Sequence, residues 1–344
     1  MIDFRSDTLT KPTDAMLRAQ HDASQGDDSR DGDPTVRELE AMTAELLGKE
    51  AGLFVVSGTM GNLVALLAHG RRGGEVLVDQ GAHLLRSELG GVSLIAGLFP
   101  RVLPDHRGAV DIEALGAAIR ADFAPDKLAT ALVWLETTHN NAGGAVLPLS
   151  HMRAVREVAL RHGVPSHLDG ARLFNASTAL AVAPAEIVAT VDSVSVCLSK
   201  GLSAPVGSVL VGSAAFINRA RAFRRMVGGN LRQAGGLAAA GIVALTEMMP
   251  RLAEDHATAR HLAAGLAQID PSLVDPSMVE TNIVQVDTRA SGRPAADWAA
   301  QLRERGIVTG AWDTWRLRCV THRHIAPADV AQAIAAFRDV WSAR

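Results

Sequence analysis

Short apolar stretches alternate with longer stretches of helical periodicity along most of the chain. The apolar stretches predict strands at Gly52–Val56, Glu75–Val78, Leu94–Phe99, Ala131–Leu135, Pro165–Leu168, Ser193–Leu198 and Ser208–Val211. The periodic stretches between them predict helices at Pro34–Leu47, Gly61–Ala68, Ile112–Arg120 and His151–His162. This alternation is typical of parallel βα units, so we expect an α/β fold with a mainly parallel seven-stranded sheet flanked by helices.

The pattern changes after about residue 250 and indicates a second domain. Helices are predicted at Arg251–Ile269, Ala295–Arg305 and Pro327–Ala343, and strands at Val279–Val286 and Arg316–Val320. A chain of 344 residues also favours one large and one smaller domain over a single core. We therefore expect an N-terminal segment at 1–20 that packs across both domains, a large domain at 21–250 and a small α+β C-terminal domain at 251–344.

Charge and hydropathy then exclude several classes of partner. Lys and Arg number 34 against 37 Asp and Glu, a net charge of 34 − 37 = −3, and no long run of one sign occurs. This balance argues against a nucleic-acid partner. The first residues do not resemble a signal peptide, and no apolar run approaches the roughly 20 residues of a membrane span. We expect a cytoplasmic protein with no membrane partner.

Neither the cysteines nor the histidines predict a metal site or a disulfide framework. Cys197 and Cys319 both lie inside apolar stretches, where a small buried thiol is the expected state. His322 and His324 alternate along an extended segment that lacks a nearby cysteine or carboxylate companion. We expect no bound metal.

A lysine follows one of the predicted strands. Lys200 lies between Ser199 and Gly201, directly after Ser193–Leu198. A lysine at such a position can be desolvated; burial disfavours the ammonium, and the free amine can then form a Schiff base with an aldehyde cofactor. Taken alone, this lysine would be a solvated cation.

An aspartate ends another predicted strand. Asp169 follows Pro165–Leu168, and ligands of open parallel sheets bind at the carboxyl ends of strands, so Asp169 and Lys200 are expected to face one crevice. A carboxylate there can keep the pyridine nitrogen of pyridoxal phosphate (PLP) protonated. A helix cap or turn is an equally good interpretation of Asp169 by itself.

The third pattern is a glycine-bearing turn from a strand to a helix. Ser57, Gly58 and Thr59 follow Gly52–Val56, and the backbone N–H groups of a helix N-terminus can hold a phosphate. Glycine in a tight turn is weak support on its own. The order of phosphate loop, aspartate and lysine is what carries weight.

With these three patterns in place, the chain resembles the low-specificity threonine aldolases, PLP enzymes of the β-eliminating lyase superfamily with fold type I. The resemblance covers almost the whole chain. The matching segments include Phe4–Thr8, Gly26–Asp28, Asp33–Val36, Ser57–Thr59, Glu136–Asn140, Asp169–Asn175, Leu198–Leu202, Pro205–Ser208, Arg232–Gly235 and Arg318–His322.

The resemblance implies how a PLP cofactor would be held. Lys200 would form the Schiff base and Asp169 would pair with the ring nitrogen. Gly58 and Thr59 would bind the phosphate, with the Ser199 hydroxyl as an additional donor. The remaining cofactor contacts would come from His83, stacked on the pyridine face, and from Arg172.

The resemblance also implies the substrate contacts. Arg172 and Arg318 match the carboxylate-binding arginines, with Ser6 beside them. Arg225 would help to neutralise the site, across a subunit interface. His83 and His139 are the candidate bases, because imidazole titrates near neutral pH. Alternatives remain for both: His83 could be a histidine at the edge of the core, and His139 could only stabilise its loop.

Two positions differ from the family pattern and bear on the substrate. Ser87 stands where relatives carry an aromatic residue, and Arg30 lies where many have a tyrosine, whereas this chain contains no tyrosine. If both line the pocket for the β-substituent, a larger or charged side chain would fit better than that of threonine.

The activity implied is PLP-dependent retro-aldol cleavage of L-threonine, L-allo-threonine or related β-hydroxy-α-amino acids to glycine and an aldehyde. A β-eliminating amino-acid lyase on the same scaffold is the alternative within PLP enzymes, and a non-catalytic PLP-binding scaffold is the alternative of another class. The expected partners are a small amino-acid substrate and further copies of the chain, in a dimer or tetramer with shared active sites.

Overall fold

The computed structural model describes residues 1–343. Its strands are β1 (Ile2–Asp3), β2 (Ala51–Val55), β3 (Glu75–Asp79), β4 (Phe99–Leu103), β5 (Asp105–His106), β6 (Ala109–Val110), β7 (Thr130–Glu136), β8 (Ser166–Gly170), β9 (Ser193–Cys197), β10 (Ser208–Gly212), β11 (Ile283–Asp287), β12 (Ile307–Val308), β13 (Gly310–Ala311) and β14 (Arg316–Val320).

The helices alternate with these strands along the chain. They are α1 (Asp14–Asp22), α2 (Pro34–Leu46), α3 (Gly58–His69), α4 (His83–Arg86), α5 (Gly91–Leu94), α6 (Ile112–Ala118), α7 (Leu149–Arg161), α8 (Leu173–Leu180), α9 (Pro184–Val188), α10 (Ala214–Met226), α11 (Gly235–Val243), α12 (Leu252–Ala267), α13 (Ala295–Glu304) and α14 (Pro327–Ser342). Short 3-10 turns at Asp7–Leu9, Pro276–Met278 and Arg289–Ser291, and one π turn at Ala244–Met248, join them.

The chain divides into two compact units. The larger contains Lys11–Ala142 and Val146–Met249, and the smaller contains Met1–Thr10, Gly143–Ala145 and the chain from Pro250 onward. The first ten residues therefore belong to the smaller unit and residues 11–20 to the larger one. The domain boundaries proposed from the sequence stay a prediction.

A seven-stranded sheet forms the centre of the larger unit. Its strand order is β2-β10-β9-β8-β7-β3-β4. β10 pairs antiparallel with β2 and β9, whereas the other pairs are parallel. The predicted mainly parallel sheet of seven strands is confirmed. Helices such as α3 and α10 pack against it, with α3 contributing Val64 and Ala65 to a core that also includes Leu53 and Leu210.

One strand prediction was wrong in its position. Leu94 ends the short helix α5, and the edge strand β4 begins only at Phe99. An edge strand buries little of its side chains and tolerates proline, and β4 accordingly carries the exposed residues Phe99 and Pro100. The apolar stretch before it belongs to a turn and helix that pack on the core, where Val92 and Leu98 are buried.

The start of α2 is fixed by one buried carboxylate, as the sequence Asp33-Pro34 indicates. Asp33 Oδ1 accepts the N–H groups of Thr35 and Val36, 3.0 and 3.1 Å away. Its Oδ2 accepts the N–H groups of Gly26 and Gly235, both at 2.9 Å. This aspartate therefore caps the helix and also ties two distant segments to it.

The smaller unit is an α+β arrangement. The sheet β11-β14-β13 is antiparallel, and β1 pairs in parallel with β12. Its apolar core is formed by α12, α13, α14 and the sheet, with Phe4, Trp298, Leu317 and Phe337 fully buried.

Within residues 1–343 no single helix has both the length and the apolar composition of a membrane span. The consecutive segments Gly235–Met248 and Leu252–Ala267 meet those two criteria only when they are taken together.

Two imidazoles share a hydroxyl between the sheet and α3. His69 Nε2 lies 2.6 Å, and His167 Nδ1 2.8 Å, from the Oγ of Ser193. Burial lowers the pKa of His69 to about 4 and that of His167 well below its ordinary value of 6.5. Both rings are therefore neutral in the folded protein at pH values where the unfolded chain is protonated.

We expect the unfolding free energy to fall as the pH is lowered from 6.5 towards 4. In this range His69 and His167 bind protons in the unfolded chain but stay neutral in the folded protein. Each such histidine contributes up to about 1.4 kcal/mol per pH unit. His69→Gln, which keeps a polar group near Ser193 and cannot titrate, should show a shallower slope in urea denaturation. Replacing the exposed His21 by glutamine is the control, and equal slopes in all three proteins would contradict the assignment.

Candidate active site

Side chains that could bind a ligand or transfer a proton lie just after the carboxyl ends of the parallel strands. β8 and β9 are parallel neighbours in which Gly170 lies opposite Val196. Asp169 is the penultimate residue of β8, and Lys200 is the third residue after β9. His83 follows β3, His139 follows β7 and Gly58 follows β2 in the same way. The register therefore brings most of the predicted site residues of the larger unit to one edge of the sheet.

Lys200 lies in the loop that joins β9 to the antiparallel strand β10. The loop is closed by Leu198 N–H to Gly207 O at 3.0 Å and by Ala204 N–H to Leu198 O at 3.1 Å. The carbonyl of Lys200 itself accepts the N–H of Ser203 at 2.9 Å. The lysine residue is half-buried. Ser199, also half-buried, places its Oγ 3.4 Å from Cys197 Sγ.

The predicted phosphate loop is the N-terminus of α3. Ser57 caps the helix by accepting the N–H of Met60 at its Oγ, 3.1 Å away. The first amides of a helix have no carbonyl partner within it, so the N–H groups of Gly58 and Thr59 stay available to an anion. A Cβ on Gly58 would meet Ser208 Oγ at 3.7 Å, and this buried hydroxyl has no hydrogen-bond partner within residues 1–343.

Asp169 is 3% exposed and is held by two N–H donors. Oδ1 accepts the N–H of Ala171 at 3.0 Å, and Oδ2 accepts Nδ2 of Asn62 at 2.8 Å. The same Nδ2 donates to Glu88 Oε1 at 2.7 Å, so one amide group joins two buried carboxylates. Burial and the charge of Asp169 raise the pKa of Glu88, against the hydrogen bonds from His83 and Asn62.

His83 opens the short helix α4 and is held at two points. Its backbone N–H donates to Glu136 Oε2 at 2.6 Å, and its Nδ1 lies 2.9 Å from Glu88 Oε1. The hydrogen bond with Glu88 raises the pKa of His83, with further support from the charges of Asp169 and Glu136, and outweighs burial. Within residues 1–343 no hydrogen bond engages Nε2 of this half-buried ring.

His139 is 2% exposed and uses both of its ring nitrogens. Nε2 bonds to Asp79 Oδ1 at 2.9 Å, and Nδ1 accepts the N–H of Ala142 at 3.1 Å. Burial lowers the pKa of His139, but Asp79 and the nearby carboxylates outweigh it and raise the pKa to about 9. The Ala142 amide opposes this protonation, because a charged ring has no lone pair left at Nδ1.

Two glycines leave room for the His139 ring. A Cβ on Gly81 would lie 2.9 Å from His139 Cε1, and one on Gly108 would lie 2.3 Å from Cδ2. The ring is therefore packed between two loops, with no nitrogen open to a substrate. This environment favours the loop-stabilising interpretation of His139 over its role as a base.

Arg172 is 6% exposed at the start of α8. Its Nη1 lies 3.4 Å from the Oδ1 of Asn140, on the loop after β7. A largely buried guanidinium at the edge of the sheet fits the predicted role in binding a carboxylate.

Ser6 and Arg318 belong to the smaller unit. Ser6 caps the Asp7–Leu9 turn by accepting the N–H of Thr8 at 3.2 Å. Arg318 is 7% exposed, lies over the Trp312 ring at 4.4 Å and donates to the carbonyl of Arg5 at 3.2 Å. Their assignment to a substrate carboxylate stays a prediction.

Four predicted site residues are exposed in the single chain: Thr59, Ser87, Arg30 and Arg225. Ser87 ends the helix that His83 begins. Arg30 faces Asp27, with Nε and Oδ2 3.7 Å apart, and Arg225 lies in the last turn of α10.

The residues that hold the predicted site residues in place by hydrogen bonds were not predicted from the sequence. Asn62, Glu88, Glu136 and Asp79 are all buried, and each bonds to one of the predicted site residues. A polar asparagine within the apolar face of the predicted helix Gly61–Ala68 was an available signal for Asn62. The acids had no local pattern, because their partners lie on other elements.

A buried ion pair also went unnoticed beside the predicted phosphate loop. Arg224 is 1% exposed; its Nη2 contacts Asp28 Oδ2 at 2.6 Å and its Nη1 donates to Phe54 O at 2.8 Å. The pair fixes the 26–33 segment, which holds Arg30, against the end of β2.

The nitrogen and oxygen atoms of His83, Glu88 and Asp169 lie within 4.8 Å of one another, the spacing of a possible cation site. The Nδ2 group of Asn62 already donates to both carboxylates, so hydrogen bonds account for this cluster.

His322, considered from the sequence, bonds to Asp3 O at 3.0 Å, and its Nδ1 lies 3.4 Å from the backbone nitrogen of His324.

Comparison with known proteins identifies relatives over the full length. Residues 3–289 match the model of the β-eliminating lyase family. The chain is 45% identical to low-specificity L-threonine aldolase 1 of Arabidopsis thaliana, over 98% of this chain and 95% of the relative. It is 40% identical to the low specificity L-threonine aldolase of Escherichia coli K12, over 98% of each chain.

A solved structure of Leishmania major threonine aldolase has the same fold. It superposes with a TM-score of 0.84 at 17% identity and covers 99% of this chain and 100% of its own. The fold-type prediction made from the sequence is confirmed.

We expect His139→Ala to lower the unfolding free energy by about 3–5 kcal/mol, because it leaves the buried Asp79 without its imidazole partner. Urea denaturation measures the change. His106→Ala, at an exposed position of the neighbouring β5, is the control and should leave stability within about 0.5 kcal/mol of wild type. An unchanged unfolding free energy in the His139 variant would show that this pair does not hold the loop.

Proposed function

The chain belongs to the β-eliminating lyase family, and we propose that it is a PLP-dependent aldolase that cleaves L-threonine, L-allo-threonine or related β-hydroxy-α-amino acids to glycine and an aldehyde. The observation that carries the proposal is the position of a buried carboxylate and a half-buried lysine at the carboxyl ends of two adjacent parallel strands. Asp169 lies at the end of β8, and Lys200 follows β9. This arrangement supports a cofactor with a basic ring nitrogen and a carbonyl group.

The environment of Asp169 fits a bound PLP. Among residues 1–343 Asp169 forms no salt bridge with a lysine or arginine, and a buried carboxylate without a cation is costly. The protonated ring nitrogen of PLP would supply that cation. When bound, PLP supplies an electron sink for the pair of electrons that remains at Cα after the Cα–Cβ bond breaks.

The other contacts with the cofactor follow from the same edge of the sheet. Lys200 would hold the cofactor carbonyl carbon as a Schiff base, with its backbone fixed by the loop hydrogen bonds. The amides of Gly58 and Thr59 would bind the phosphate, with the Ser199 hydroxyl as a further donor. His83 would stack on the pyridine ring, and Arg172 would lie beside the cofactor.

Arg172 would also bind the carboxylate of the amino acid with charge-assisted hydrogen bonds. Such a clamp orients the bond that breaks, because it fixes one of the three substituents that Cα carries besides its nitrogen. Ser6 and Arg318 remain the predicted partners in carboxylate binding, and Arg225 the predicted cation from a neighbouring subunit.

His83 is the base that the geometry favours. Its Nε2 is free of protein partners within the described residues and would accept the proton of the β-hydroxyl as the Cα–Cβ bond breaks. This requires the neutral ring, so cleavage should accelerate as the pH rises through the raised pKa of His83. His139 has no comparable nitrogen.

A β-eliminating lyase is the alternative, since Lys200 and Asp169 would serve that reaction as well. Incubation of the PLP-loaded protein with L-threonine separates the two. Glycine with acetaldehyde indicates the aldolase, and a keto acid with ammonia indicates elimination. A non-catalytic scaffold would give neither product, although retention of Arg172 and Lys200 argues against it.

The proposal includes a homo-oligomer with shared sites in the cytoplasm. Leu89, Leu94 and Phe99, in or near α5, are 97, 81 and 57% exposed, and large apolar side chains this exposed support an interface with a second copy. Arg225 and Ser87 are exposed in the single chain and could then reach a site formed by two copies.

We expect Lys200→Ala to fold but to lose covalent attachment of PLP and to reduce threonine cleavage about a thousandfold or more, because the amine is removed. Borohydride reduction followed by peptide mass spectrometry should label Lys200 in the wild type. Replacing the exposed Lys127 by alanine should leave both the label and the turnover intact. Full cleavage by the Lys200 variant would exclude the assignment.

Ser87→Phe should shift preference towards threonine, because added bulk would close a pocket that suits larger or anionic β-substituents. A change of about 1–3 kcal/mol in relative kcat/KM is the range for such a pocket. The measurement compares threonine, allo-threonine, phenylserine and 3-hydroxyaspartate, with Ser150→Phe at an exposed serine of α7 as the control. Identical rank orders in wild type and Ser87→Phe would show that position 87 does not shape the pocket.

A further inference from the structure

We propose that Glu88 is a positioning residue that keeps the proton of the neutral His83 ring on Nδ1 and thereby leaves Nε2 to accept the substrate's hydroxyl proton. This inference rests on the proposed aldolase function for its consequence, but the state of the His83 ring can be measured independently of any reaction.

The contact itself determines which nitrogen carries the proton. Glu88 Oε1 lies 2.9 Å from His83 Nδ1 and also accepts Nδ2 of Asn62 at 2.7 Å. A carboxylate only accepts hydrogen bonds, so the neutral imidazole must present Nδ1–H to it and an unprotonated Nε2 on its other side. The side chain of Glu88 is 3% exposed, which shields this bond from water.

The charges around His83 make its ring a stronger base. Three carboxylates face His83: Glu88 on its own segment, Glu136 at the end of β7 and Asp169 in β8. Together they raise the pKa of His83 against burial. A stronger base takes the hydroxyl proton more readily once the ring is neutral.

Asn62 keeps Glu88 able to act as an acceptor. Burial and the charge of Asp169 raise the pKa of Glu88, and the hydrogen bonds from His83 and Asn62 oppose this rise. Asn62 Nδ2 donates one hydrogen bond to Oε1 of Glu88 and one to Oδ2 of Asp169, so one neutral group stabilises both carboxylates as anions.

The role is separable from holding the loop. The backbone of His83 is bound by Glu136, whose Oε2 accepts its N–H at 2.6 Å, and not by Glu88. Loss of the Glu88 charge should therefore change the ring of His83 while the start of α4 stays in place.

The first experiment uses the cofactor-free protein labelled with 15N-histidine. In the wild type, NMR should show the Nδ1–H tautomer for His83 and a midpoint above 6.5. In Glu88→Gln the midpoint should move to lower pH, and in Glu88→Ala the preference for Nδ1–H should also be lost. Glu157→Gln, an exposed glutamate on α7, should leave the spectrum of His83 unchanged.

The second experiment uses the PLP-loaded protein and threonine. Glu88→Gln should reduce kcat about ten- to a hundredfold with little change in KM, and the rise of kcat with pH should move to lower pH, as the NMR midpoint does. A structural defect would instead lower kcat without shifting the pH profile. If no β-hydroxy amino acid is cleaved by the wild type, the proposed function fails while the NMR result stands.

The outcomes are decisive for Glu88. Nε2–H as the tautomer of His83 in the wild type would overturn the inference without any variant, and so covers the case in which the Glu88 variants do not fold. An unshifted midpoint together with an unshifted pH profile in Glu88→Gln would also overturn it. A parallel shift of both supports it.

Discussion

One amide group holds the candidate site together. Asn62 Nδ2 donates one hydrogen to Asp169 and the other to Glu88, so two buried acids lie beside each other without a bridging cation. Unscreened repulsion between them would otherwise be expensive at this depth. Because α3 begins at Gly58 and carries Asn62, this one helix sets the position of Asp169 relative to the backbone amides that are the proposed phosphate donors.

The same edge of the sheet contains two imidazole–carboxylate pairs with different consequences. His139 has Asp79 on one nitrogen and the Ala142 amide on the other, and it stays enclosed between two glycines. His83 has Glu88 on one nitrogen only. The residue types are alike, and the number of nitrogens that the protein engages distinguishes a structural ring from one that can exchange a proton with a ligand.

The central strands and the order of phosphate loop, aspartate and lysine could be predicted because each is a local pattern. Fully buried parallel strands give continuous apolar stretches, and β3, which is parallel to both of its neighbours, was predicted only one residue shorter than observed. The edge strand β4 was misplaced because half of its side chains face solvent. Glu88 and Asn62 were missed because the contact between Asn62 and Asp169 spans 107 residues of sequence, which no local spacing encodes.

The antiparallel return of β10 has a consequence for the timing of the proposed reaction. In the role proposed for it, Lys200 would be displaced from its covalent bond and would return to it at every turnover. The loop around Lys200 is closed by Leu198, Ala204 and Gly207, so the main chain need not rearrange at either step. Only the four side-chain torsions of the lysine would change, and rotations of that kind take picoseconds to nanoseconds, far faster than enzymatic turnover.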